Sequence, residues 1–215
     1  MTELINDPNE RDDLARLSAL EIILVRHATP IPPGSAGWEE RDDERPLTIE
    51  GLRQADELAL ELDPYGLSAV YSSPFPRSVQ TVSPTARRRL LEVQLIDDLR
   101  ERQLHAGLHA DWRERLARSW LEPDFAEDGG ESGSAARLRG LRALDLLRAR
   151  HAEGGRLLVG SHGNLISLIL QAFEPAVDHA FHQAMPMPAV YHLKHDGIGW
   201  RVMGGHGFTP IDARN

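Results

Sequence analysis

The chain has 215 residues, 41% of them hydrophobic, a formal net charge of −9 and no cysteine. That length and apolar content suit one domain, or one domain with a sizeable insertion. The acidic balance argues against nucleic-acid or anionic-membrane partners, which need a clustered basic face, and the lack of cysteine excludes disulfides, zinc–thiolate sites and thiol nucleophiles.

Residues 1–20 are polar and read as a loose arm or short helix. Met1 to Glu10 is acidic and has no apolar core, so it is not a signal peptide. No stretch approaches the ~20 apolar residues of a membrane span. A cytoplasmic protein is expected. The run Ile22-Ile23-Leu24-Val25 marks a first buried strand over 21–26, which ends on Arg26-His27 and passes at once into Ala28, Thr29, Pro30, Pro32, Pro33 and Gly34. The charge run from Glu39 to Arg45 reads as a solvated loop, placed so that it can also rim a pocket beside His27.

Thr48 caps a helical pattern with Leu52, Ala55, Leu58, Ala59 and Leu62 on one face, stopped by Asp63-Pro64. A second strand falls at 68–71. A helix then starts near Pro74, and Pro84 predicts a kink or a division into two short helices. A third strand covers 92–96. Residues 102–133 read as an irregular insertion with one helix near 111–120 and a mobile, Gly-rich end from Glu127 to Gly133. Ser134 caps a long helix whose stripe of Leu138, Leu141, Leu144 and Leu147 reads as core packing. Gly154-Gly155 ends it. A fourth strand at 156–160, an apolar helix at 164–173 and two strands near 189–194 and 198–203, joined by Asp196-Gly197, complete the chain. Strands alternating with helices predict an α/β fold: a three-layer αβα sandwich with a mostly parallel sheet and an antiparallel edge.

Four segments place phosphate-suited side chains after strand ends: Arg26 and His27 after the first, Arg77 after the second, Glu101 after the third and His162 after the fourth. In a parallel sheet these ends share one edge, where open α/β sheets bind their ligands. Two arginines, two histidines and a carboxylate are the parts of a phosphoryl-transfer site. For Glu101 the competing reading is a solvated loop carboxylate, with Asp97 and Asp98 as alternatives and Arg100 and Arg102 as ion-pair partners. His105 and His109 stand four apart, but Gly107 between them and the lack of a third ligand favour a cleft wall or surface over a metal site. His179 and His182 make an equally weak claim.

The sequence resembles the histidine phosphatase superfamily, of phosphoglycerate-mutase-like fold. Arg26-His27-Ala28 matches its Arg-His-Gly signature, Leu47-Thr48, Gly51 and Gln54-Ala55 match a second motif, residues 72–81 match Ser-Ser-Pro…Arg…Gln-Thr, and residues 161–163 match Ser-His-Gly. The resemblance implies that His27 is the nucleophile, that Arg26, Arg77 and His162 hold the phosphate oxygens, and that Glu101 is the general acid. His162 thereby counts among both the catalytic and the phosphate-binding residues. It further implies a small phosphorylated metabolite as substrate, with no metal and no cofactor, and a homodimer stays open. Ala28 departs from the commoner glycine. The mutase branch continues its signature with Gly-Glu-Ser and Trp-Asn, whereas this chain reads Ala28-Thr29-Pro30-Ile31-Pro32-Pro33. Phosphatase is therefore the expected activity. A phosphoglycerate-type mutase, which shares the Glu101-Arg102 pair, and a non-catalytic phosphate-binding protein are the rivals.

Overall fold

The computed structural model describes residues 19–35, 37, 42–104, 111–127 and 129–208. The expected N-terminal arm (apart from its last two residues) and the pair His105 and His109 lie outside them. Six strands form one sheet: β1 (Leu20–Arg26), β2 (Ala69–Ser72), β3 (Val93–Leu95), β4 (Gly155–Ser161), β5 (Ala189–His195) and β6 (Trp200–Gly205). Their order is β3-β2-β4-β1-β5-β6. The four strands from β3 to β1 run parallel, while β5 and β6 add the antiparallel edge.

β1 is apolar on both faces because both are covered. Ile22 and Leu24 enter a cluster with Leu144 and Leu147 of α4 (Gly133–Arg150) and Leu165 and Ile169 of α5 (Gly163–Gln171). Ile23 and Val25 face the other way, onto Leu58 of α1 (Ile49–Glu61) and Val82 and Ala86 of α2 (Pro76–Arg88). Helices thus lie on both sides of the sheet. Two shorter helices, α3 (Trp112–Leu121) and α6 (His179–Ala184), lie in the connections. Among the described residues no helix is long and apolar enough to cross a membrane.

Thr48 caps α1 as expected, its hydroxyl accepting from the Gly51 amide at 3.0 Å, but Leu52 lies on the outer side, 46% exposed. α2 runs as one helix through Pro84, so the expected alternative of two short helices does not hold. The Thr81 and Ser83 hydroxyls donate to the Arg77 and Val79 carbonyls, four residues back, at 2.7 and 2.6 Å, and Pro84 is itself buried in the interface. α4 starts two residues earlier than expected: Ser132, not Ser134, accepts from the Ala135 amide. Leu138 is 59% exposed, because residues three apart drift by about 60° per step around a helix. A stripe from 138 to 147 therefore cannot stay on one face, and Ala136, Gly140 and Ala143 fill the inner one instead.

Within the Gly-rich end of the insertion, Glu131 is tied to two arginines. The Glu131 carboxylate accepts from Arg139 Nε and Nη2 at 2.8 and 2.7 Å, and the Glu131 carbonyl accepts from Arg102 Nε at 2.8 Å. Arg139 and Arg102 are both buried.

Candidate active site

The carboxyl ends of the central strands meet: Arg26 is in register with Ser161, and Ser72 with Gly160. Arg26 closes β1, and His27 follows with its amide bonded to the Ser161 carbonyl at 3.1 Å. Ser161-His162 leads from β4 into α5, and Arg77 stands in the first turn of α2. Three segments far apart in sequence therefore deliver their side chains to one edge.

The second and third motifs act as clamps on the loop after His27. The Ala28 amide donates to Thr81 Oγ1 at 2.9 Å, and the Thr29 amide donates to Gln54 Oε1 at 3.0 Å. The Thr29 carbonyl accepts from the Thr48 amide and hydroxyl at 3.0 and 3.1 Å, while Gln80 Oε1 accepts from the Leu47 amide at 2.7 Å. Gly51 lies so close under this loop that a Cβ would stand 2.1 Å from the Thr29 carbonyl oxygen. Gly51→Ala is therefore expected to lower stability by about 1–3 kcal/mol and to shift the loop. Denaturant unfolding and phosphate release read the two effects, and an unchanged melting midpoint would contradict the contact. Leu90 is the one non-glycine residue with positive φ among the described residues, so the backbone at position 28 accepts alanine without strain.

His27 Nδ1 lies 2.8 Å from the Ala28 carbonyl oxygen. A carbonyl only accepts, so in the neutral ring the proton sits on Nδ1 and the lone pair on Nε2. Burial, then the charges of Arg77, Arg26 and Arg45, hold the His27 pKa well below the ordinary imidazole range. His162 is fully buried, stands 5.2 Å ring to ring from His27, and bonds Ser73 Oγ through Nε2 at 2.8 Å. Burial and Arg77 depress its pKa as well. The site thus presents two neutral imidazoles among fixed cations.

The cations are held with few counter-charges. Arg26 donates to the Met185 carbonyl, and its guanidinium lies against Gly163, where a Cβ would meet Nε at 2.9 Å. Burial lowers the pKa of both Arg26 and Arg77. Three buried nitrogens here, Arg26 Nε, Arg77 Nε and His162 Nδ1, have no hydrogen-bond partner among the described residues. Buried polar groups are ordinarily paired, so several orphans around His27 point to a ligand rich in acceptor oxygens.

Glu101 reaches the same edge. Its Oε1 accepts from the Leu165 and Arg102 amides at 3.1 and 2.9 Å, and its Oε2 from the Asn164 amide at 3.2 Å. It caps the N-terminus of α5, where a negative charge is favoured. Asp97 and Asp98 turn elsewhere, to Arg100 and Arg142. Two residues of the site were read only as part of the charge run: Asp42, whose Oδ2 pairs with Arg77 at 3.1 Å, and Arg45, which pairs with Asp42 Oδ1 at 2.5 Å. Asp42 and Arg45, the two ends of its described part, do stand at this edge. His179 and His182 flank Trp120 from α3, with ring centroids 6.2 and 5.9 Å from it, a packing contact rather than a metal pair.

The family model described as Histidine phosphatase superfamily (branch 1) matches residues 22–204. The chain belongs to this superfamily. Solved structures agree on the fold. One named Bacillus stearothermophilus YhfR is 25% identical, with a TM-score of 0.69, covering 85% of this chain and 95% of its own. A mycobacterial glucosyl-3-phosphoglycerate phosphatase is 22% identical, with a TM-score of 0.68 and coverage of 86% and 97%. A phosphoglycerate mutase from Bacillus anthracis is 17% identical, with a TM-score of 0.66 and coverage of 87% and 93%. Comparison with curated proteins gives no match. Proteins of this fold therefore include both a phosphatase and a mutase.

Proposed function

We propose that this superfamily member is a phosphatase that hydrolyses a small phosphate monoester through a phosphohistidine on His27, needing no metal. The observation that carries the reading is the tautomer of His27: Nδ1 is tied to the Ala28 carbonyl, which leaves the Nε2 lone pair for phosphorus, beside Arg26, Arg77 and His162. In the first step Nε2 bonds phosphorus as the ester P–O bond breaks, and the leaving oxygen takes a proton. In the second, water attacks phosphorus, the P–N bond breaks, and inorganic phosphate and neutral His27 are released. Splitting one displacement into two lowers each barrier, and the arginines offset charge on the equatorial oxygens.

Glu101 is the proposed proton donor for the leaving oxygen and acceptor from water. Its three amide partners take two sites on Oε1 and one on Oε2, which leaves a lone pair on Oε2 to carry that proton. Glu101→Gln is expected to slow a poor alkyl leaving group by about 10²-fold or more and an activated aryl phosphate much less. Equal slowing of both would limit Glu101 to capping α5.

Phosphatase is favoured over mutase by the sequence after Ala28. It is also favoured by Arg102, whose guanidinium bonds Ser119 Oγ and the Glu131 carbonyl rather than the pocket. The deciding experiment is incubation with a generic aryl phosphate and a panel of phosphorylated metabolites in EDTA. Release of inorganic phosphate is expected. Isomerised phosphoglycerate without net phosphate release would establish the mutase reading instead.

A further inference from the structure

The Asp42 carboxylate stands between two guanidiniums. Its Oδ2 accepts from Arg77 Nη2 at 3.1 Å, while its Oδ1 accepts from Arg45 Nε at 2.9 Å and Nη2 at 2.5 Å. Its backbone carbonyl accepts from Arg77 Nη1, and Arg45 Nη1 reaches the Ile31 carbonyl. The cations are enclosed, with side chains 2% (Arg77) and 8% (Arg45) exposed, whereas that of Asp42 is 48% exposed on a three-residue turn, Asp42–Glu44.

This asymmetry matters for a phosphoryl ligand. Both terminal nitrogens of Arg77 donate to Asp42, while its Nε has no partner among the described residues. A guanidinium grips an oxyanion with two parallel donors, so a phosphoryl group that takes Arg77 through Nε and a terminal nitrogen competes with Asp42. A carboxylate presents two anionic oxygens at a spacing close to that of one edge of such a group. Arg45 would be left beside the incoming anion, and its charge already reaches the nucleophile, adding to the downward push on the His27 pKa.

We propose that Arg45 is a further phosphate-binding residue of this site, and that Asp42 is an internal competitor holding the place of a phosphoryl oxygen pair between Arg45 and Arg77. The proposal rests on the phosphatase reading. It makes substrate binding an exchange of one anion for another rather than a simple addition, so the pocket does not carry three uncompensated buried cations between turnovers. It also makes Asp42 a determinant of affinity, because every substrate has to displace it.

Calorimetric titration of the full chain with inorganic phosphate tests this. Asp42→Asn is expected to tighten phosphate binding by about tenfold, since the competitor loses its charge. Arg45→Gln is expected to weaken it by about tenfold, the usual scale for a charged hydrogen bond, with partial recovery in Arg45→Lys. In the Asp42→Asn background, Arg45→Gln should cost more than it does in the wild type. Weaker or unchanged binding in Asp42→Asn would make Asp42 a fixed brace for Arg77 and overturn the proposal, as would unchanged binding in Arg45→Gln. Asp42→Ser serves as the second variant if Asp42→Asn does not fold, with melting temperatures compared throughout. Wild-type protein that hydrolyses esters but shows neither shift overturns this inference alone. Wild-type protein that neither binds phosphate nor hydrolyses any ester overturns the phosphatase reading as well.

Discussion

His27→Ala is expected to abolish turnover of a phosphate monoester, by roughly 10⁴–10⁶-fold, the scale seen when a covalent nucleophile is removed. The acid-labile, base-stable label left on the wild-type protein by a radiolabelled ester should vanish with it. Among the described residues, the imidazole packed against His27 is that of His162, whose Nε2 is bonded to Ser73 Oγ and whose ring is wholly enclosed. The reaction should also hold its rate below the usual imidazole range. Burial and the neighbouring arginines depress the His27 pKa, so the ring stays neutral as pH falls through about 6.5 and protonates only further down. Label formed in a single turnover should therefore show no loss centred near the ordinary imidazole value of about 6.5. A loss of label with a midpoint near 6.5 would show that His27 titrates as an exposed histidine does, and label that persists in His27→Ala would place the nucleophile elsewhere.

Arg77→Ala is expected to lower kcat by about 10²–10⁴-fold, with kcat/KM falling at least as far, because preorganised charge aimed at the transferring group counts most in the transition state. Arg77 is only 2% exposed, lies 5.0 Å over the Phe75 ring, and is the cation whose charge acts most strongly on both His27 and His162. Lysine restores charge but not the planar fork, so Arg77→Lys should recover only a small part of the loss. Steady-state kinetics on an aryl phosphate separates the possibilities. A rise in KM with kcat intact would mean that Arg77 binds ground state and transition state alike, and would remove it from the group that stabilises charge.

Features set by local signals were legible in the sequence. The Ile22–Val25 run had to be a two-faced strand, Thr48 had to cap the first long helix, and the strand-end positions of Arg26, Arg77 and His162 brought them to one edge once β1, β2 and β4 were parallel. Features in which a side chain answers to something distant were not. Arg139 carries no local signal in the sequence, yet it is buried because Glu131 and the Asp98 and Arg100 carbonyls surround it. Leu138 lost its expected burial to the same helix rotation. Asp42 and Arg45 lay in plain charge-rich sequence, and nothing short of the return path of that loop past Arg77 could single them out. Glu101 was placed at the site by its neighbours in sequence, but its three amide partners depend on how α5 begins.

The Arg102–Glu131–Arg139 knot has a consequence for anyone who would reshape this protein. The 102–133 segment invites trimming, or exchange for that of a relative. Glu131, however, is the carboxylate that balances Arg139, and Arg139 in turn holds the Asp98 and Arg100 carbonyls just ahead of Glu101. Removing the segment alone would strand a buried cation, a fault on the order of 3–5 kcal/mol, and would loosen the stretch that delivers Glu101 to the pocket. A transplant at this position has to bring its own carboxylate, or replace Arg139 with an apolar residue in the same step, so the segment and its anchor are inherited together.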